Sequence, residues 1–296
     1  MKADLSGRCP GQKIGIGWVL PEFCDPIKVH RSGKVGRAEL FTTKLLAFMK
    51  NAFSLLLLFA LFLTISCGDD DGGGIIDPPM EEPEPSSLSV GVLFHVPFSG
   101  NADDISSSGL AGTVTGATIT ADRHGVANEA YRFDGVDDII NYGTAPDLAF
   151  GARTTYTMVA WVKLEDREDA SRNTIISKFN GGVAAGWYLA VNADEEIQAY
   201  RNAVPWSVSG TASVPYDEYV HVAVSYDGSN LSVWLNGDLD GTIAFGGHPT
   251  DTSTDILIGG VFSRNNVVPL LKGVVDEVRL YNRVLTDTEL TWLATH

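Results

Sequence analysis

The chain has 296 residues and a net charge of −16, and from Cys67 onward it carries twelve Lys and Arg against 33 Asp and Glu, a net charge of −21. So acidic a surface repels phosphate groups, which argues against nucleic acid as a partner and is compatible with neutral glycans and with calcium. The three cysteines, Cys9, Cys24 and Cys67, all precede residue 88. A folded domain beyond that point therefore depends on its core and not on disulfide bonds.

The first 67 residues of the chain carry the features of an export signal. Residues 1–48 show no hydrophobic period, and we interpret them as an unstructured, over-extended N-terminus, with translation beginning at Met49. Residues 49–66 are predicted to be a lipoprotein signal peptide, because Lys50 near the front precedes an uncharged apolar run over 53–65 that is short for a membrane-spanning helix. Residues 63–67, Leu-Thr-Ile-Ser-Cys, resemble a bacterial lipobox, which implies that Cys67 receives a diacylglycerol and becomes the new N-terminus.

An acidic, proline-rich segment follows this cysteine. Three aspartates stand within residues 68–74, where a stop-transfer helix would carry Lys or Arg. The run resembles the export signal of Bacteroidetes surface lipoproteins, and the alternative is a transmembrane helix followed by a flexible linker. Residues 75–87 contain four prolines and four acids, which favours an extended spacer. We therefore predict a linker over 67–87 and a lipid anchor at the outer membrane or cell surface.

Residues 88–296 alternate short apolar strands with turn residues, the pattern of an antiparallel β-sandwich. In chain order the strands are predicted over 156–162, 174–179, 187–191, 197–201, 219–226, 231–235, 239–245 and 273–281. Alternation places Val220, Val222 and Val224 on one face of their strand. Asn236-Gly237 predicts a type I′ hairpin turn, because that turn needs positive φ at both central residues.

One short helix is predicted at the end of the chain. Thr286 and Glu289 have the spacing of a capping box, which starts a helix that continues to about Leu293. No other segment has a helical period over more than two turns. The predicted class is all-β.

Several short motifs follow one another through this region: Asn-Ala-Asp-Asp at 101–104, Tyr-Arg-Phe-Asp-Gly-Val-Asp-Asp at 131–138, Ala-Trp-Val-Lys at 160–163, Ile-Ser-Lys at 176–178, His-Val-Ala-Val-Ser-Tyr-Asp at 221–227, Leu-Asn-Gly at 235–237, Ile-Gly-Gly at 258–260 and Gly-Val-Val-Asp-Glu-Val-Arg-Leu-Tyr-Asn at 273–282. In this order they resemble the concanavalin A-like lectin/glucanase superfamily, which includes laminin G-like domains. The resemblance covers about residues 90–293 and implies a jelly-roll sandwich of two antiparallel sheets. A fold alone names no ligand.

A calcium site is one candidate for function. Calcium takes six to eight oxygen ligands, several of them carboxylates, and Asp103 and Asp104 in a polar loop can supply some. The resemblance implies that the last strand passes near the first, which would bring Asp276 to the same site. The alternative is that Asp276 caps a backbone donor or pairs with Arg279.

A second acidic cluster, formed by Asp134, Asp137 and Asp138, is better explained as a solvated turn around Gly135.

A glycan-binding surface is the second candidate, because sugars stack on aromatic rings and polar groups fix their hydroxyls. The candidate residues are Trp187, Tyr188, Tyr200, Arg201, Asn202 and Trp206. Alternation sends Trp187 and Tyr188 to opposite faces, and Trp206 follows a proline in a predicted loop, where it is the best candidate for an exposed platform. The alternative is that most aromatics, above all Trp161, Trp187 and Trp234, are core residues.

Catalysis is the weakest of the candidate functions. Glycosidases of this fold carry a Glu-x-Asp-x-Glu or similar run, and the chain has none. It also lacks Gly-x-Ser-x-Gly, His-Glu-x-x-His and any cysteine within the domain. The sequence therefore predicts a non-enzymatic surface lipoprotein that binds an extracellular glycan, with a protein-binding module as the alternative and a glycoside hydrolase as the third choice.

Overall fold

The described residues belong to one compact unit, Pro79–His296. The computed structural model describes residues 83–150, 155–166, 172–182, 185–202, 205–246, 253–264 and 266–296. The predicted N-terminal extension, signal peptide and lipobox with Cys67 lie outside the described residues, as does most of the linker. Within the described part of the chain, no helix is long and apolar enough to cross a membrane.

The described residues form two sheets whose strand pairs are antiparallel, apart from a one-residue parallel contact. Sheet A has the order β13-β12-β11-β6-β17-β4-β3, and β1 also pairs with β17. Its strands are β1 (Val92–Val96), β3 (Thr118–Thr120), β4 (Ala130–Asp134), β6 (Tyr156–Leu164), β11 (Tyr219–Tyr226), β12 (Asn230–Leu235), β13 (Asp238–Ala244) and β17 (Lys272–Tyr281).

Sheet B has the order β10-β9-β8-β7-β14-β5-β2, with a β15–β16 hairpin attached at β7. Its strands are β2 (Thr113–Thr115), β5 (Ile139–Asn141), β7 (Asn173–Asn180), β8 (Ala185–Val191), β9 (Glu196–Arg201), β10 (Ser207–Ser213), β14 (Leu257–Ile258), β15 (Gly260–Ser263) and β16 (Asn266–Pro269). The predicted all-β jelly-roll sandwich is confirmed.

The main core fills the space between the inner faces of the two sheets. Val220, Val222 and Val224 point into it from β11, as alternation predicts, together with Ile197 and Leu189 from sheet B. Two-residue periodicity therefore decides which side chain of each strand faces the core and which faces outward. That sorting is what creates two outer faces available for binding.

Helix α1 (Asp287–Leu293) covers part of the outer face of sheet A. Thr286 caps it, since its side chain accepts a hydrogen bond from the backbone N–H of Glu289 while the Glu289 carboxylate accepts from that of Thr286. This confirms the predicted capping box. Leu290 and Leu293 pack there in a second, smaller apolar cluster with Val159, apart from the main core.

The predicted type I′ turn also forms, with φ of 52° at Asn236 and 86° at Gly237. It joins β12 to β13 in the predicted pairing.

Candidate functional site: the outer face of sheet B

The hairpin of β8 and β9 decides which aromatic residues face outward. Trp187 points into the core, is 2% exposed, and donates its indole N–H to the Leu148 carbonyl at 3.1 Å. Trp187 cannot reach a surface ligand, so its assignment to the glycan site is wrong and its assignment to the core is right. Tyr188 takes the opposite face, where it lies directly across from Tyr200 of β9.

Three parallel rings form what we call the aromatic column: Tyr188, Tyr200 and Trp206. The first two stack at a centroid distance of 4.9 Å and an interplanar angle of 10°. The Trp206 ring continues the stack 6.4 Å from Tyr200, at an angle of 12°. Trp206 is 51% exposed, as its predicted loop position suggested. The column therefore runs from a buried ring to an open indole.

The buried end of the column is held by polar contacts that sequence reasoning did not identify. The Arg172 guanidinium lies 4.2 Å from the centre of the Tyr188 ring and donates to its hydroxyl oxygen at 2.8 Å. That hydroxyl donates in turn to Gln198 at 3.1 Å. Burial raises the pKa of Tyr188 and of Tyr200, so both hydroxyls stay neutral.

Phe179 supports the column from the side. Its ring meets Tyr188 edge-on at 5.4 Å and Tyr200 at 5.0 Å. Such edge contacts add to the area that the rings bury. With Arg172 below and Phe179 beside them, Tyr188 and Tyr200 form a fixed base for the Trp206 indole.

Arg201 does not belong to this surface. It alternates with Tyr200, points into the sandwich and is 1% exposed. Its guanidinium carbon lies 4.1 Å from the Tyr226 ring centre and 4.9 Å from that of Phe245, and within the described part of the chain none of its three side-chain nitrogens has a hydrogen-bond partner. The assignment of Arg201 to the glycan site is therefore wrong. Asn202 is half-buried at the end of β9, with its backbone N–H bonded to Gly186.

An open groove of about 760 Å³ lies on the same outer face at the other end of sheet B. The register of the strands shows that the aromatic column and the groove share one face of sheet B. Tyr188 pairs with Ser177, Ser177 pairs with Leu257, and Leu257 pairs with Asn141, which lines the groove. Three strand spacings separate Tyr188 from Asn141, a distance of about 14 Å. The β15–β16 hairpin lies between them.

The groove combines apolar walls with a fixed polar edge. Val267 and Pro269 of the hairpin line it opposite Ile139. At the polar edge, Asp255 accepts hydrogen bonds from Asn141 at 3.1 Å and from the Thr144 hydroxyl at 2.9 Å. A concave surface of this kind suits a ligand with both hydroxyl groups and C–H faces.

The predicted calcium ligands do not come together. Asp104 is buried and holds its own loop, accepting from the backbone N–H groups of His95 at 2.9 Å and Ser106 at 2.8 Å. Asp276 is 1% exposed and forms an ion pair with Arg123 at 2.6 Å, not with Arg279. Asp103 is exposed. The joint site of Asp103, Asp104 and Asp276 is therefore wrong, because the two buried carboxylates already have other partners.

The acidic cluster of Asp134, Asp137 and Asp138 is the one group, among the residues that the structure describes, whose carboxylate oxygens lie within 4.8 Å of one another. Asp138 is buried and accepts from the backbone N–H of Asp134 at 2.7 Å. Burial raises the pKa of Asp138, and the nearby Asp134 and Asp137 raise it further. Carboxylate oxygens at this spacing suit a hard cation, although the sequence favoured a solvated turn here; calcium binding by the domain stays a prediction that the structure does not test.

A family model described as the concanavalin A-like lectin/glucanases superfamily matches residues 137–291, which is more than half of the chain. The chain belongs to this superfamily. The match confirms the predicted resemblance and covers the strands that carry the aromatic column. A search of curated protein sequences found no match.

Solved structures of the same fold include several binding domains. The binding domain of Paraclostridial Mosquitocidal Protein 1 is 13% identical with a TM-score of 0.57, and the match covers 70% of this chain and 52% of that one. The receptor binding domain of botulinum neurotoxin D is 12% identical with a TM-score of 0.54, over 70% and 53% of the two chains. This chain thus spans about half the length of both. At such identities the likeness establishes the fold alone.

A third structure has nearly the size of the matched region. Domain 4 of AbnA, an extracellular arabinanase from Geobacillus stearothermophilus in complex with arabinotriose, is 21% identical with a TM-score of 0.51. The match covers 69% of this chain and 98% of that domain. A single domain of that enzyme therefore has this fold over about the same length.

Proposed function

We propose that this chain is a non-catalytic, lipid-anchored surface protein that binds a neutral glycan on the outer face of sheet B. The observation that carries the proposal is the aromatic column, three parallel rings that end in the half-exposed indole of Trp206. An aromatic face presented to solvent in this way offers a platform for the C–H face of a sugar ring.

Preorganisation of the platform favours binding. The rings beneath Trp206 are held by Phe179 and Arg172, so stacking a ligand on the indole orders few additional side chains. Affinity is gained when a surface is fixed before the ligand arrives. Ser207 and Ser209 lie across from Tyr200 and Gln198 on the same face, where their hydroxyls can bond those of a sugar.

Charge favours a neutral ligand. Asp137 and Asp255 line the groove on this face, and the region beyond Cys67 carries a net charge of −21. Uronic acids and sulfated sugars would be repelled by this field. A neutral sugar that stacks on Trp206 satisfies both the stacking surface and the charge.

Comparison with solved structures supports binding rather than catalysis. The mosquitocidal and neurotoxin structures described above are named as binding domains, and the AbnA domain was solved in complex with arabinotriose, whereas another similar structure is that of a Trypanosoma rangeli sialidase. The sequence also lacks the motifs Glu-x-Asp-x-Glu, Gly-x-Ser-x-Gly and His-Glu-x-x-His. Both points favour a module that holds a glycan while another protein acts on it.

Anchoring is proposed from the sequence of the signal region. The apolar run, the lipobox-like residues before Cys67 and the acidic residues after it support a diacylglycerol anchor, with residues 67–87 as a spacer. A tethered domain of this kind samples polymers outside the cell.

A glycan array tests the proposal. Full-length chain in detergent micelles is applied with and without chelator, and a glycan that binds is then titrated against the variant Trp206→Ala. We expect Trp206→Ala to weaken binding by about tenfold or more. The control is Leu239→Ala, which removes an equally exposed apolar side chain, 53% exposed, from sheet A. An array without signal would favour the protein-binding alternative, and equal affinities of the two variants would contradict a binding site at Trp206.

A further inference from the structure

A separate pocket of about 290 Å³ lies on the outer face of sheet A, away from the aromatic column. Trp161 of β6 and His221 of β11 stand side by side at its base, directly paired across the two strands. Trp292 of helix α1 and Arg123, from the loop between β3 and β4, form its walls. The Trp161 indole N–H donates to the Leu293 carbonyl at 3.0 Å, which fixes the helix against the sheet at this point.

A β-bulge shapes the third side of the pocket. The pairing of β17 with β6 shifts by one residue between Asp276 and Arg279, and Glu277 within the bulge has a φ of 51°. A glutamate in the left-handed region is strained, and bulges often redirect side chains beside binding sites. Here the bulge places Glu277 and Arg279 on the lining of the pocket.

The charges around the pocket are already paired. Arg123 forms an ion pair with Asp276 at 2.6 Å, and Arg279 bonds Glu277 at 3.0 Å and also contacts Glu84. Because each cation has a carboxylate partner, the pocket offers no free charge to an ionic ligand.

Hydrogen-bonding groups, by contrast, remain without partners. Arg123 Nε, Trp292 Nε1 and both ring nitrogens of His221 are buried, and none has a hydrogen-bond partner among the residues that the structure describes. All three side chains line this one pocket, and His221 is 1% exposed. Buried polar groups normally have hydrogen-bond partners. Three side chains without them around one cavity therefore indicate that the cavity binds a polar ligand.

The chemistry of these groups defines that guest. Arg123 Nε–H and Trp292 Nε1–H can only donate, so the guest must carry acceptor oxygens. Burial, together with Arg123 and Arg279, lowers the pKa of His221 to about 3, which leaves a neutral imidazole with one donor and one acceptor. A guest that both donates and accepts, and also has C–H groups for the indole walls, is a polyhydroxylated one.

We propose that the pocket between helix α1 and sheet A binds a single small neutral sugar through Arg123, His221 and Trp292. Its volume is at the lower limit of ligand pockets, which restricts the guest to about one sugar ring. The site lies on the sheet opposite to that of the proposed glycan surface and does not depend on it.

The test uses the full-length chain in detergent micelles and a panel of free glucose, galactose, mannose, fucose and N-acetylglucosamine. Saturation-transfer NMR finds the sugar that binds, and isothermal titration measures its affinity. Trp292→Phe keeps an aromatic ring and removes the donor, and we expect it to weaken binding about tenfold. The control Trp234→Phe removes an indole N–H that bonds Ser225 at 3.0 Å outside the pocket.

His221→Leu provides a second variant, and we expect it to abolish binding of the same sugar. Trp206→Ala should leave this affinity unchanged, which separates the pocket from the proposed glycan surface. The inference is overturned if no sugar of the panel binds saturably, if Trp292→Phe and Trp234→Phe bind alike, or if Trp206→Ala alone removes binding.

Discussion

Stability in acid should depend on His221, whose imidazole is buried on the outer face of sheet A and has no hydrogen-bond partner in the described ranges. Its pKa falls from 6.5 to about 3 on folding. Above pH 6.5 the histidine is neutral in both states and contributes nothing to the pH dependence. Below pH 6.5 the histidine is protonated in the unfolded chain and stays neutral in the folded chain. The free energy of unfolding therefore falls as the pH is lowered, down to about pH 3.

The size of the effect follows from the slope of about 1.4 kcal/mol per pH unit. Between pH 7.5 and pH 4.5 the loss is about 3 kcal/mol, and His221→Leu removes it because leucine does not titrate. Burial raises the pKa of Asp276 to about 7. The folded state therefore binds this proton before the unfolded state does, so Asp276 adds stability on acidification, opposite to the effect of His221. Both proteins carry Asp276, so its contribution largely cancels in the difference between them.

Urea unfolding followed by tryptophan fluorescence at pH 7.5, 6.0 and 4.5 measures this difference. Between pH 7.5 and pH 4.5, we expect the free energy of unfolding of His221→Leu to rise by about 3 kcal/mol relative to that of the wild type. His124→Leu, at an exposed histidine, is the matched control. Parallel stability curves for the wild type and His221→Leu would refute the reasoning.

Three further predictions concern the turn, calcium and the anchor. Gly237→Ala should lower stability by more than Gly125→Ala, because both have positive φ but only at Gly237 would a Cβ meet backbone, 2.9 Å from Thr291 Cα; thermal unfolding compares them. Calcium should raise the melting temperature of the wild type and not that of Asp137→Asn. Equal shifts in both proteins would show that calcium is not bound by the acidic cluster of Asp134, Asp137 and Asp138. Cys67→Ala should abolish incorporation of labelled fatty acid and release the chain from membranes, whereas an unchanged membrane fraction would contradict the lipid anchor.

Features set by neighbouring residues were predictable from the sequence. The Asn236-Gly237 turn and the Thr286 capping box depend on a few adjacent residues, and both form as predicted. Alternation correctly predicted that Trp187 and Tyr188 lie on opposite faces of their strand. The same rule predicts that Arg201, next to the outward-facing Tyr200, points into the core. That signal was present and was not used.

Features set by distant residues were not predictable. Arg123 pairs with Asp276 across 153 positions, and neither residue's local sequence names the other. Trp161 and Trp234 were predicted as core and lie half-buried on the outer face of sheet A, where a helix at the far end of the chain shields Trp161. The aromatic column itself requires the register of β8 against β9, which only the folded hairpin provides.

The central claim is that a glycan stacks on Trp206, and the indole N–H signals of the five tryptophans within residues 88–296 report this directly. Chain labelled with ¹⁵N-tryptophan is titrated with the glycan that the array identifies, and each signal is assigned by a single Trp→Phe variant. The account predicts a saturable shift of the Trp206 signal while that of Trp187 stays in place. A titration that moves other signals and leaves Trp206 unmoved would contradict it.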